Sequence, residues 1–131
     1  MNPKQFLTIG GIVLLVLGVL GLVALNQPNS FFWLDTGENV AHIVLGVVAL
    51  AAVFVPGLNA ALMPFYKWIV VLVGVIAVFF GIYGFVVSSA PVPNTFGVAN
   101  LENPADNILH LVVGAWALYA SLGPQATKQA M

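Results

Sequence analysis

Four apolar stretches, each long enough to cross a bilayer as a helix, constrain the fold of this chain more than any other feature. They run over Phe6–Leu25, Glu38–Val55, Lys67–Val87 and Ala105–Leu122. A helix rises about 1.5 Å per residue, so about 20 residues cross the hydrocarbon core of a bilayer. Because a backbone in lipid must satisfy its own hydrogen bonds, helices are favoured. We therefore predict an all-α integral membrane protein, a single domain over residues 1–131 with four transmembrane helices.

Charge is scarce, which supports lipid rather than water as the main surroundings of the chain. Only 5% of the residues are charged and 61% are hydrophobic, whereas soluble domains carry about 25% charged residues. The chain has three Lys and no Arg, which argues against nucleic acid, because phosphate contacts need clustered basic residues. With no Cys, an iron–sulfur cluster or thiolate zinc site is excluded. The predicted surroundings are the lipid bilayer and other integral membrane subunits, or further copies of this chain.

The charged residues divide between the two predicted faces of the membrane. Lys4, Lys67 and Lys128 flank the stretches on one side. The acidic residues fall on the other side: Asp35, Glu38, Glu102 and Asp106. The positive-inside rule then predicts cytoplasmic N- and C-termini. We expect a multi-pass protein of a cell membrane or an internal membrane.

The chain also carries an internal similarity. Asp35–Leu50 matches Asn103–Leu118 at one constant offset, and glycines of the first and third stretches match at a second, slightly shorter one. This pattern predicts two tandem helical hairpins, over about 5–57 and 66–124, related by a pseudo-twofold axis along the membrane normal.

Glycines at helical spacing predict close helix packing, because small residues let backbones approach in lipid. Gly18 with Gly21 and Gly81 with Gly84 are expected to line the seam between the first and third helices or between each of these and its hairpin partner. The eight candidates are Gly11, Gly18, Gly21, Gly46, Gly74, Gly81, Gly84 and Gly114.

The acids near the second and fourth helix starts have the spacing of capping pairs. Asp35 with Glu38, and Asn103 with Asp106, stand at i and i+3, as in an N-cap and N3 pair. Pro104 then stands at the first helical position, which proline favours.

A histidine follows each acid by one helical turn, at His42 and His110, on the same helical face. Three interpretations stay open. In the first, each ring is satisfied by a carboxylate, an Asn or a loop carbonyl. In the second it ligates a haem, a chlorophyll or a metal, and in the third it handles protons. Glu38, His42, Asp106 and His110 are the candidate metal ligands of the second interpretation.

The doubled Asn-x-x-His helices, with the run 94–98 leading into 106–111, resemble a bacterial family of four-span membrane proteins of unknown function. The resemblance covers most of the chain. It implies the four-helix fold and paired histidines as a family feature, and it implies no activity.

The sequence contains no nucleophile–base pair, phosphate loop or H-E-x-x-H motif, so we expect no enzyme. The favoured function is an accessory or structural subunit that packs within a larger membrane complex. The alternative is a cofactor carrier that uses His42 and His110 in a photosynthetic or respiratory assembly. A small oligomeric transporter or channel is the second alternative. Under the favoured function we expect no cofactor. Under the cofactor-carrier alternative we expect haem or chlorophyll.

Overall fold

The computed structural model describes residues 1–28 and 30–127, and within these ranges it is helical with no strand. Two short turns of other helical types extend or join the α-helices: a π-helical turn at Gly21–Leu25 and a 3₁₀ turn at Met63–Phe65. The α-helices are α1 (Pro3–Leu20), α2 (Thr36–Phe54), α3 (Pro56–Leu62), α4 (Tyr66–Val86) and α5 (Ala105–Leu122).

Four helical segments are long and apolar enough to cross a membrane. They are Pro3–Leu25, Thr36–Phe54, Pro56–Val86 and Ala105–Leu122. This confirms the prediction of an all-helical protein with four candidate spans. Lys128, one of the three residues behind the predicted orientation, lies outside the described residues.

The connection before the third span differs from the sequence prediction. Pro56 and Gly57 mark the end of the second apolar stretch, and α2 does end there, but Pro56 also starts α3. Proline fits this position because the first turn of a helix needs no N–H donor from it. Helix therefore continues from Pro56 through α4, and the third candidate span is 31 residues long.

Each hairpin is held by glycines that let its two helices approach closely. A Cβ added at Gly46 would lie 2.9 Å from the Gly11 carbonyl oxygen, and one at Gly114 would lie 3.0 Å from the Gly74 carbonyl oxygen. All eight predicted glycines make such contacts, either between α1 with its π-helical turn and α2 or between α4 and α5. Of the two arrangements left open by the sequence, the contacts fall within each hairpin.

A cluster of buried side chains joins the hairpins at the end where α1 and α4 begin, called here the aromatic end. Phe6 packs edge-on against Trp116 with ring centroids 4.6 Å apart. The fully buried Tyr66 donates its hydroxyl hydrogen to the Ala52 carbonyl over 2.6 Å, which links α4 to α2. The core cluster is Phe6, Leu7, Val53, Tyr66, Val70, Ala117 and Ala120.

The opposite end, where α2 and α5 begin, is called the acidic end. The loop 87–104 folds back on itself there, because Asn94 bonds both backbone groups of Leu101 and the Thr95 N–H donates to the Ala99 carbonyl. Phe96 and Gly97 at its tip have φ angles of 53° and 73°. The Phe96 ring stacks on Tyr83 of α4, with centroids 5.2 Å apart, which fixes the loop against the helix.

Candidate functional site

The start of α2 is a capping box, as predicted from the spacing of its acids. The Glu38 N–H donates to Asp35 Oδ1 over 3.0 Å, and the Asp35 N–H donates back to Glu38 Oε2 over 3.1 Å. Each carboxylate satisfies a backbone donor that the first turn leaves without an intrahelical partner. This fixes Glu38 against the helix start, where it is 7% exposed.

The start of α5 is built differently, and the predicted capping pair is wrong there. Pro104 rather than Asn103 is the N-cap residue, and no side chain caps the helix. The helix begins at Ala105, so the Asp106 side chain lies in the first turn and reaches back to the Glu102 N–H, which donates to Asp106 Oδ2 over 2.7 Å. The Asn103 side chain instead accepts from Asn107 Nδ2 over 3.3 Å.

Asn100 connects the two helix starts. Its backbone N–H donates to Asp35 Oδ2, and its Nδ2 donates to Glu102 Oε1 over 2.5 Å. Together with the capping box and the Glu102–Asp106 bond, these contacts put all four carboxylic side chains of the chain on one hydrogen-bonded path. The loop also packs directly on α2, since a Cβ at Gly37 would clash with the Val98 carbonyl oxygen.

Several polar atoms of this end are buried without a hydrogen-bond partner. Glu38 Oε1, Asp106 Oδ1 and Asn100 Oδ1 belong to residues that are 7%, 1% and 2% exposed. All three atoms are acceptors when the acids are ionised. Buried acceptors are normally paired, so each of these three oxygens has unused capacity to accept from a donor or to bind a cation.

Asn39 and Asn107 use their side chains mainly for packing between paired helices. Their amide oxygens lie against Gly21 and Gly84, where any Cβ would overlap them. Asn39 Nδ2 also donates to the Leu34 carbonyl over 2.9 Å. Only glycine leaves room for the amide, which explains the glycine of each pair.

The two histidines differ in their contacts. His110 Nδ1 lies 2.8 Å from the Asp106 carbonyl oxygen. Because a carbonyl only accepts, Nδ1 carries the hydrogen, and in the neutral ring Nε2 holds a lone pair. His42 Nδ1 is buried and has no hydrogen-bond partner. The first interpretation, in which a protein group satisfies the ring, therefore holds for His110 Nδ1 but not for His42 Nδ1.

The predicted metal ligands do not form a ready metal centre. Among residues 1–28 and 30–127, no three His, Cys, Asp or Glu side chains come together in a way that could hold a metal ion. All four candidates lie near the starts of α2 and α5, at the acidic end of the protein.

Glu102 lies in the loop beside these groups, and its acidity is altered by them. Burial raises the pKa of the Glu102 carboxyl, and the nearby Asp35 charge acts in the same direction, whereas the hydrogen bond from Asn100 opposes them.

Sequence reasoning placed Glu102 in the loop but missed Asn100. Nothing in its sequence context marks Asn100, because its partner Asp35 is 65 residues away.

No protein-family model, curated protein or solved structure matches this chain. Membership of the four-span family that it resembles therefore stays a prediction.

Proposed function

We propose that this chain is a non-enzymatic integral membrane protein that spans the bilayer four times and serves as an accessory or structural subunit of a larger membrane complex. The observation that carries the proposal is the small buried share of each span. Only 28–33% of the most apolar window of each candidate span is buried inside the protein. The remaining apolar surface suits lipid and neighbouring helices, which is how a small subunit packs into an assembly.

The hydrogen bonds at the acidic end also support a structural role. Asp35 caps α2 and also holds the loop through Asn100, and Asp106 holds the Glu102 backbone. These bonds fix the two hairpins to each other at one end, while the Phe6–Trp116 contact does so at the other. A subunit with fixed hairpins presents constant surfaces to its partners.

Equivalent contacts in the two hairpins support their origin as tandem units with a pseudo-twofold axis along the membrane normal. Gly18 packs on Ile43, and Gly81 packs on Leu111. Gly11 packs on Leu50, and Gly74 packs on Leu118. The two constant offsets found in the sequence relate every one of these pairs.

Both termini are proposed to be cytoplasmic because Lys4 and Lys67 lie at the starts of α1 and α4 at the aromatic end, opposite all four acids. Single cysteines at Gln27 and Asn94 should react with an impermeant thiol reagent added outside intact cells, and a cysteine at Asn59 should react only after permeabilisation. The reverse pattern would invert the orientation.

The subunit proposal is tested by native electrophoresis of mildly solubilised membranes that carry the tagged chain at its natural level. The chain should migrate with other proteins in an assembly far larger than the chain itself. A chain that migrates alone, or only with copies of itself, at every detergent concentration would contradict the proposal.

A second candidate, a cofactor carrier, is favoured by the His110 geometry. Nδ1–H donated to a carbonyl fixes the ring and leaves Nε2 as the ligating atom, an arrangement common among metal-bound histidines.

An absorption spectrum of protein purified from its native membrane decides between the structural subunit and the cofactor carrier. A haem or chlorophyll band that is lost in His110→Gln but kept in the control Ile108→Leu, at a nearby exposed position, would favour the carrier. A featureless visible spectrum would favour the structural subunit.

A further inference from the structure

We propose that the acidic end binds one hard divalent cation, with Ca²⁺ as the fitting ion, through the free oxygens of Glu38, Asp106 and Asn100. The three oxygens Glu38 Oε1, Asp106 Oδ1 and Asn100 Oδ1 are buried without partners. This site is independent of the subunit role and does not use the histidines.

The four donors that join these residues to one another are already used. The N–H groups of Asp35, Asn100 and Glu102 donate to Glu38, Asp35 and Asp106, and Asn100 Nδ2 donates to Glu102. The three oxygens without partners are all acceptors. Because these four donors are engaged elsewhere, a positive ion can satisfy the acceptors instead.

The balance of charge points to a cation as well. The path from Glu38 through Asp35, Asn100 and Glu102 to Asp106 carries all four acids of the chain. The described lysines, Lys4 and Lys67, lie at helix starts at the opposite end. The two carboxylates with free oxygens, at the two ends of this path, match the charge of a divalent ion.

The kind of ligand selects the class of ion. Carboxylate and amide oxygens suit hard cations, and Ca²⁺ accepts such ligands and water in irregular numbers at about 2.3–2.6 Å. Mg²⁺ demands near-octahedral geometry and gives up water reluctantly, so it should bind more weakly. Among the described residues no three His, Cys, Asp or Glu side chains come together to hold a metal ion, so the proposed site takes its third oxygen from the Asn100 amide, a ligand that suits Ca²⁺ better than a transition metal.

The test is Ca²⁺ binding to the full chain in nanodiscs of phosphatidylcholine, a lipid without net charge, after removal of metal by a chelator. Isothermal titration should give one Ca²⁺ per chain. Glu38→Gln and Asp106→Asn should each weaken binding by at least about tenfold, a loss typical of metal-site substitutions. Both amides keep an oxygen that can accept from Asp35 N–H and Glu102 N–H, so the helix starts are preserved.

Glu102→Gln is the matched control. It removes the same charge from the same hydrogen-bonded path, but its Oε1 already accepts from Asn100. We expect an affinity loss of about threefold or less, as for a neighbouring charge that is not a ligand. A loss in Glu102→Gln as large as in Glu38→Gln would overturn the proposal in favour of diffuse attraction by the acids.

A second measurement does not depend on the variants. Ca²⁺ should raise the Tm of the wild-type protein in a concentration-dependent way, and a chelator should reverse the rise, because a ligand of the folded state stabilises it. Absence of both binding and a Tm rise from pH 6 to pH 8 would overturn the proposal and indicate that the carboxyls hold protons instead. Unchanged affinity in both amide variants would equally overturn it.

Discussion

The first two turns of α2 and α5 carry the same acid, asparagine and histidine spacing, yet they are held by different contacts. In α2 the acid Glu38 belongs to a capping box with Asp35, and His42 Nδ1 has no partner. In α5 no side chain caps the helix, Asp106 bonds the Glu102 backbone, and His110 bonds the Asp106 carbonyl. Within the helical pairs, by contrast, Asn39 on Gly21 and Asn107 on Gly84 make matching contacts.

The difference comes from what precedes each helix. The loop before α5 is the longer one, and it supplies Asn100, whose backbone N–H reaches Asp35 at the start of α2. Similar helix sequences therefore produce similar packing where helix meets helix, and different hydrogen bonds where a helix meets a loop of its own length and composition.

The largest effect is expected where the hairpins match. Gly21→Ala and Gly84→Ala should each lower the free energy of unfolding by about 3 kcal/mol, because the new Cβ overlaps a buried asparagine oxygen. Thermal or denaturant unfolding in detergent micelles, followed by circular dichroism, measures the loss. Gly57→Ala is the control, since nothing lies within 4 Å of its Cβ position. If only one of the two variants lost much unfolding free energy, the Asn–Gly contacts of the two hairpins would not be energetically equivalent.

The next largest effect is a difference in stability between substitutions at the starts of α2 and α5. Asp35→Ala should cost about 2 kcal/mol, because it removes a capping acceptor and the acceptor for Asn100. Asn103→Ala should cost less than about 1 kcal/mol, since Asn103 loses only one side-chain bond to Asn107. The same unfolding measurement compares them. Equal costs would show that the capping bond and the loop contact of Asp35 together contribute no more than the single bond of Asn103.

The histidines should show a smaller contrast. His110→Leu removes the ring bond to the Asp106 carbonyl and should cost about 1 kcal/mol. His42→Leu removes a buried nitrogen without a partner and should be neutral or slightly stabilising. Unfolding of the two variants side by side tests this, and a greater loss at His42 would reveal a contact of its ring that matters more than the His110 bond.

The smallest expected effect is a dependence on pH through Glu102. Burial raises its pKa above the ordinary value for glutamate, so the folded protein binds this proton more tightly than the unfolded chain does. Its contribution to stability is therefore present at low pH and is lost as the pH rises from the ordinary glutamate range through the raised pKa. The slope of Tm against pH in that range should become less negative in Glu102→Gln, and an unchanged slope would contradict the assignment.

The amino-acid pattern predicted the parts of this protein that depend on local periodicity. Apolar length located the four candidate spans, and the Asp35–Glu38 spacing predicted the capping box. The glycine spacing identified the packing positions but not their partners, since a row of small residues does not say which helix will face it. Helix α3 was missed because Pro56 signals both the end of one helix and the start of another.

The candidate site was predictable only in part, because it depends on tertiary contacts. The acids and histidines were visible as a repeated motif, but the predicted Asn103 cap was wrong because the helix begins at Ala105. Asn100 enters the site through a backbone N–H, which every residue except proline possesses, so no side-chain pattern could point to it.

The bond between Asp35 and Asn100 also has a consequence for the order of synthesis. The acceptor is made early, with the first hairpin, and its donor follows 65 residues later. Until that donor emerges, one oxygen of Asp35 depends on water or lipid headgroups. The nascent first hairpin can pair its own helices through their glycines, but the bond from its Asp35 to the loop cannot form before Asn100 has been made.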